Sequence, residues 1–161
     1  MFESLIRQAS IDYNVPEPWI RAVIQTESSW NPQAYRAEPQ ISDASYGLMQ
    51  LLETTARGLG FTGNAADLYE PEINIPLGTK LLSQLRIRYG DDFRRIYSAY
   101  NSGKPDLYLT STQVRKNVER AVAALEKYAA EAVLTLTASP VGPGVGLLVI
   151  GVLLWAWVRR R

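Results

Sequence analysis

Charged residues are scattered along the chain as far as Glu131 and then vanish until Arg159, a break in composition too abrupt for one soluble domain over the whole length. The part up to Glu131 holds 14 basic and 16 acidic residues, a formal charge of −2, and the three remaining positive charges are Arg159, Arg160 and Arg161. Between them, Gly144 to Val158 is uninterrupted apolar sequence, which reaches roughly 22 Å as a helix at about 1.5 Å per residue. Counting from Val141 extends it to about 27 Å, close to the hydrocarbon thickness of about 30 Å, with Pro143 acceptable in a first helical turn. Trp155 and Trp157 beside the arginines resemble the interfacial end of a membrane helix, whose basic side faces a cytoplasm or its equivalent. A buried hairpin helix or a terminal strand is the plainer alternative. Thr135 to Gly146, with two prolines and three glycines, reads as a flexible linker. The division expected is a folded domain over 1–131, a linker over 132–143, a transmembrane helix over 144–158 and a basic tail over 159–161.

Composition narrows the chemistry of the first part. An apolar fraction of 47% in 161 residues supports one core. With neither cysteine nor histidine, disulfides, thiolate nucleophiles, the usual zinc sites and Ser-His or Cys-His catalysis are all excluded. Catalysis is left to carboxylates, hydroxyls and amides, and no metal or organic cofactor is implied. Positive and negative charges nearly balance and no basic stripe is interleaved with aromatics, so nucleic acid is not an expected partner.

The hydrophobic periodicity predicts a mainly α domain. Phe2, Leu5, Ile6 and Ala9 share a face of a first short helix closed by Asn14-Val15-Pro16. A second helix begins near Glu17 and places Trp19, Ile20, Val23, Ile24 and Glu27 on one side, with Asn31-Pro32 as its stop. Gln33 to Ser45 reads as a long polar loop. Helix is expected again from about Gly47, after Thr54, and from Glu72 to Tyr89, where Leu77, Leu81, Leu82 and Leu85 form the buried stripe and Gly90 the end. A short helix covers Phe93 to Tyr100 and ends at Asn101-Ser102-Gly103. A last one covers Ser111 to Ala130, with Val114, Val118, Ala121, Val122 and Leu125 inward. Period-two alternation is almost absent, so no sheet of any size is expected.

Glu27 is the anomaly in this pattern, a carboxylate on an apolar helix face near the helix end. Desolvation raises a carboxyl pKa. A glutamic acid protonated near neutral pH is what cleavage of a glycosidic bond needs, because the leaving oxygen must receive a proton. The plainer alternative is an interfacial glutamate turned to solvent or bonded to Ser28.

The neighbourhood shifts the balance. Glu27-Ser28-Ser29-Trp30-Asn31-Pro32, Tyr46-Gly47-Leu48-Met49-Gln50-Leu51, Thr54-Thr55-Ala56, Asn74-Ile75 with Gly78, and Ala99-Tyr100-Asn101-Ser102-Gly103 follow one another in the chain. This order and spacing resembles the catalytic domain of the soluble lytic transglycosylases, family 1, which is goose-type-lysozyme-like. The resemblance covers about Ile11 to Ser102. It implies a lysozyme-like helical domain with a sugar-binding groove, and the apolar tail adds the expectation of a single C-terminal transmembrane helix after it. Residue by residue, it implies that Glu27 is the acid and then the base, with Ser28 its hydrogen-bonding neighbour. Tyr46, Gly47, Met49 and Gln50 would line the groove, Tyr100 would be the phenol beside the glutamate, and Asn101 would hold the N-acetyl group or a ring hydroxyl. Leu48, Leu51 and Leu52 read as core, and Asn74 and Gly78 as structural; Tyr100 and Asn101 could alternatively be a buried ring and a capping amide.

The reaction implied is cleavage of the β-1,4 bond between N-acetylmuramic acid and N-acetylglucosamine in peptidoglycan, giving a 1,6-anhydro product with one enzymic carboxylate. Asp43 is the candidate second carboxylate that would instead make the domain a goose-type-lysozyme-like hydrolase; an inverting hydrolase needs its two acids about 6.5–9.5 Å apart. A non-catalytic wall-binding or virion membrane protein is the alternative from another class. Met1 to Ile11 reads as the start of the first helix and not as a signal peptide. Because the substrate lies outside the plasma membrane, the sequence reading is a membrane-anchored domain facing the cell wall, with a bacteriophage virion, in an internal membrane or among ejected components, as the expected setting. The alternatives are a bacterial protein inserted by its tail or by an unconventional route, and a phage protein whose apolar tail packs into a protein assembly. Peptidoglycan, the membrane and virion or envelope proteins are then its expected partners.

Overall fold

The computed structural model describes residues 2–138. The chain divides into two compact units, Met1–Leu125 and Glu126–Arg161. The apolar stretch expected to span a membrane, 144–158, and the basic tail lie outside the described residues. Among the described residues no helix is long and apolar enough to cross a membrane.

The first unit is built from helices around one small sheet. Helix α1 (Glu3–Tyr13) ends where Asn14 takes a left-handed conformation, its N–H bonding to Ile11 and Ser10 carbonyls. Val15 and Pro16 turn the chain into α2 (Glu17–Ser28), which has Pro18 in its first turn, where the missing N–H costs nothing. The apolar faces predicted from period 3.6 are the buried ones: Ile6 and Ala9 on α1, and Trp19, Ile20, Val23 and Ile24 on α2. Each fully buried aliphatic side chain contributes about 1.5–3 kcal/mol. Both helices pack together, and α1 also packs on α4 (Pro71–Tyr89), which packs in turn on α5 (Phe93–Ser102). Asp92 caps α5 through the Arg94 and Arg95 N–H groups, and left-handed Gly103 closes it.

Three expectations fail here. The polar stretch after α2 is a hairpin of β1 (Tyr35–Glu38) and β2 (Asp43–Tyr46), antiparallel with Tyr35 opposite Tyr46, and β3 (Leu51–Leu52) adds a third strand beside β2. Strands this short, with an exposed first strand, leave no alternating pattern to read. The segment from Gly47 is not helical: Gly47 and Gln50 both have positive φ, 73° and 46°, which turns the chain from β2 to β3, and α3 (Glu53–Gly58) starts only afterwards. On α4 the buried face is Asn74, Ile75, Gly78, Thr79 and Leu82; Leu77, Leu81 and Leu85 are half-buried. That face is rotated because the element packed against it is the Gly47–Gln50 turn, which docks on Asn74 and Gly78. Helix α6 (Thr112–Ala138) starts close to its expected position, with Val114, Val118 and Ala121 buried, but runs past 131 through the first seven residues of the expected linker.

Candidate active site

Helix α2 sets the site because its C-terminal turn carries Glu27 to the edge of the core. Ser29 and Trp30 follow with φ of 52° and 68°, two successive left-handed residues that swing the chain away from the helix axis. Such residues each cost about 1–2 kcal/mol unless surrounding contacts enforce them. The Trp30 indole N–H donates to Gln25 Oε1 at 3.0 Å, and Asn31 Oδ1 accepts from the Gln33 N–H at 3.0 Å. The turn leaves Glu27 at the floor of a groove of about 410 Å³. The walls come from the α2 end, from Ala34 and the start of β1 with Tyr35 and Arg36, from the turn with Gln50, from α5 with Tyr97 and Asn101, and from α6 with Asn117 and Arg120.

Within the groove the Tyr97 hydroxyl donates to Glu27 Oε1 at 2.7 Å. Burial pushes the Glu27 carboxyl above the ordinary glutamate range; the Tyr97 hydrogen bond, then the charges of Arg36 and Arg120, pull the other way without cancelling it. Part of the Glu27 surface stays open to the groove, so a substrate oxygen can reach a carboxyl whose own protein environment is dry. Burial, with the Glu27 charge beside it, raises the Tyr97 hydroxyl far above a free phenol, so it is a hydrogen-bond donor and not a base. Opposite, Asn117 Nδ2 donates to Asn101 Oδ1 at 3.2 Å, which orients the Asn101 amide with its own NH₂ still available. Gln50 Nε2 donates to the Ala34 and Gly47 carbonyls at 3.0 and 3.1 Å and so ties the turn to the start of β1. Glu27 is the one carboxylate among the residues lining the groove. Among the described residues no three His, Cys, Asp or Glu side chains gather as metal ligands would.

Residues 4–123 match the Transglycosylase SLT domain family. The chain belongs to that family. The SLT domain is 41% identical over 113 residues to membrane-bound lytic murein transglycosylase C of Photorhabdus laumondii subsp. laumondii, and 39% identical over the same length to the Shigella sonnei protein of that name. Each match takes in 62% of this chain and 30% of the relative, so the chain spans under a third of those proteins' length. In fold it is similar to an inactive mutant of lytic transglycosylase Slt from Pseudomonas aeruginosa, with a TM-score of 0.69 at 20% identity over 81% of this chain and 24% of that one. The 70-kDa soluble lytic transglycosylase of Escherichia coli gives 0.57 at 24% identity over 76% of this chain and 19% of that one.

Against this SLT geometry, the sequence-derived site divides. Glu27, Ser28, Gln50 and Asn101 all line the groove. Ser28 does not bond to Glu27, however; its hydroxyl donates to the Ile24 carbonyl at 3.1 Å. Tyr100 is not the phenol on the glutamate. Its hydroxyl donates to the Met49 carbonyl at 2.7 Å, its ring stacks on Tyr97 at 6.4 Å, and it is not a lining residue. Met49 is fully buried, its side chain packed on Gly78, where an added Cβ would come within 2.8 Å of Met49 Cε. Gly47 is buried as well, against the Leu68 carbonyl and Asn74. Neither Gly47 nor Met49 forms groove wall, and Tyr46 stands behind Tyr35 instead of on the groove. Asn74 holds the turn from inside: Oδ1 accepts from the Met49 N–H at 2.8 Å, and Nδ2 donates to the Tyr46 and Leu68 carbonyls at 2.9 and 2.8 Å.

Asp43 lies outside the groove lining. Its carboxylate accepts from the Ala44, Glu53 and Thr54 N–H groups and from the Thr54 hydroxyl, anchoring the start of α3. Although burial acts to raise its pKa, those bonds, that of the Thr54 hydroxyl foremost, hold it below the ordinary value, which suits a structural anion and not a water-activating base. Among the groove residues missed from sequence are Tyr35, Arg36, Tyr97, Asn117 and Arg120. Tyr97 alone had a signal, as an aromatic on the same apolar face of α5 as Ile96.

Proposed function

We propose that this SLT domain is a peptidoglycan lytic transglycosylase that cleaves the β-1,4 bond between N-acetylmuramic acid and N-acetylglucosamine. Protonated Glu27 gives its proton to the glycosidic oxygen as the C1–O bond breaks. The acetamido oxygen of the muramic residue closes on C1 and carries the positive charge. The Glu27 carboxylate then takes the C6 hydroxyl proton while O6 attacks C1 and displaces the acetamido oxygen, leaving a 1,6-anhydro ring and a reprotonated Glu27. Asn101, oriented by Asn117, offers its amide N–H groups to the acetamido or a ring hydroxyl.

The observation that carries this reading is that the groove holds one carboxylate, bonded by Tyr97 and raised in pKa by burial, with no second acid among its lining residues to activate water. The names of the bacterial relatives, membrane-bound lytic murein transglycosylases, point the same way. A membrane tether belongs to the proposal too, on the strength of the apolar run 144–158 and its Trp-Arg boundary.

Digestion of purified peptidoglycan by the chain and by its Glu27→Gln variant, with product masses read by mass spectrometry, tests the reaction. Anhydro-muropeptides from the native chain and a fall of about 10²–10⁴-fold or more in the variant are expected. Reducing ends would make the domain a hydrolase. Equal inertness of both proteins would leave it a wall-binding module.

A further inference from the structure

Most apolar side chains left in solvent on this domain stand apart from the site, among them Ile11, Ile87 and Leu109. Tyr35 differs: it is 57% exposed and it lines the groove. An exposed tyrosine on a surface strand is ordinarily free to swing, but this one is braced. Tyr35 and Tyr46 face each other across the antiparallel pair, with ring centroids 5.5 Å apart at 65°. Tyr46 meets Tyr69 at 5.4 Å and 76° in the same edge-on manner. The backbone beneath Tyr35 is also held, because the Ala34 carbonyl accepts both the Gly47 N–H at 2.9 Å and the Gln50 side chain at 3.0 Å.

We infer that Tyr35 is a sugar-stacking platform of the groove, kept in place by the Tyr46–Tyr69 ring ladder, and that it takes the apolar C–H face of an N-acetylhexosamine in a β-1,4 glycan. The assignment rests on the glycan-cleaving reading of the groove. A pyranose ring presents polar hydroxyls at its rim and C–H bonds on its faces, so a fixed aromatic plane recovers apolar contact that water cannot match. A ring with few freely rotating bonds, already ordered before binding, loses little entropy when the sugar arrives. Tyr35 is therefore a substrate-contacting residue and Tyr46 a positioning residue, which accounts for a Tyr-Gly-Leu-Met-Gln block whose tyrosine stands off the groove.

Isothermal titration of the full chain carrying Glu27→Gln with the β-1,4 tetramer of N-acetylglucosamine tests the assignment. Adding Tyr35→Ala should weaken binding about tenfold, the scale of one lost aromatic contact. Tyr35→Phe should leave affinity unchanged, since the ring and not the hydroxyl makes the contact. Tyr46→Leu should weaken binding to a smaller degree, and Tyr46→Phe should restore it. In the active background, Tyr35→Ala should raise KM and spare kcat. Binding unaffected by Tyr35→Ala, or weakened equally by Tyr35→Phe, overturns the platform while leaving the function of the groove intact. If the Glu27→Gln chain binds no tetramer at all, the platform and the glycan reading fall together.

Discussion

The Glu27 carboxyl has a titration that can be followed from both stability and rate. Its pKa is raised in the folded domain, so the native state holds the proton more tightly than the unfolded chain does. The stabilising contribution of this group is complete below the ordinary value of 4.5 and is lost as pH rises through the higher, folded value. Glu27→Gln removes that loss while keeping an oxygen to accept from Tyr97. Thermal melts should therefore place the variant above the native protein at mildly alkaline pH, with the gap closing below pH 4.5; a gap independent of pH would mean an unperturbed carboxyl. Tyr97→Phe deletes the bond that favours the ionised form and also frees the carboxyl to rotate. It should lower kcat about 10–100-fold and move the alkaline limb of kcat/KM to higher pH. Arg120→Gln should move that limb in the same direction, since it removes a positive charge that favours the ionised form, and should leave the tyrosine hydrogen bond in place. Profiles of rate against pH for the three proteins check the order.

The Gly47–Gln50 turn is the element on which the groove depends. It carries Gln50 to the groove and Met49 to the core, and it is held by the buried Asn74 side chain, by the Tyr100 hydroxyl on the Met49 carbonyl and by the Ala34 carbonyl. A Cβ on Gly47 would press on the Leu68 carbonyl and come within 2.5 Å of Asn74 Nδ2, at a φ of 73° that L residues rarely adopt. Gly47→Ala should cost about 3 kcal/mol, the sum of left-handed strain and displaced packing. Denaturant titration should show it as a lower midpoint with an unchanged slope. The opposite sign is expected one helix away. Thr79 is buried on α4 with no hydrogen-bond partner for its hydroxyl, so Thr79→Val should stabilise the domain by about 1 kcal/mol in the same titration.

For the whole molecule, the family match ends at residue 123, inside the first compact unit. The groove draws its lining from residues 26–120. Flotation with lipid vesicles separates groove from tail: the full chain should float, and a chain ending at residue 138 should stay at the bottom of the gradient while still digesting soluble glycan fragments. Equal flotation of both would remove the tether from the proposed function.

Much of this molecule was legible from residue order alone because it depends on local rules. Helix faces follow from a period of 3.6, the ends of α1 and α5 from Asn14 and Gly103, and Glu27 stands out as a carboxylate in an apolar stripe. The structural role of Asn74 and Gly78 was legible too. What required the folded chain was every choice between near neighbours on one element. Tyr97 and Tyr100 lie about 60° apart around the α5 axis, so both point broadly inward, and the rotation of α5 against α2 decides which hydroxyl reaches Glu27. The same holds for Tyr35 and Tyr46, assigned to groove and support only by the pairing of β1 with β2, and for Arg36, Asn117 and Arg120, ordinary polar residues until α6 and the hairpin close around the glutamate. Local sequence sets what an element is, whereas the packing of elements that are distant in sequence sets which of its side chains meet.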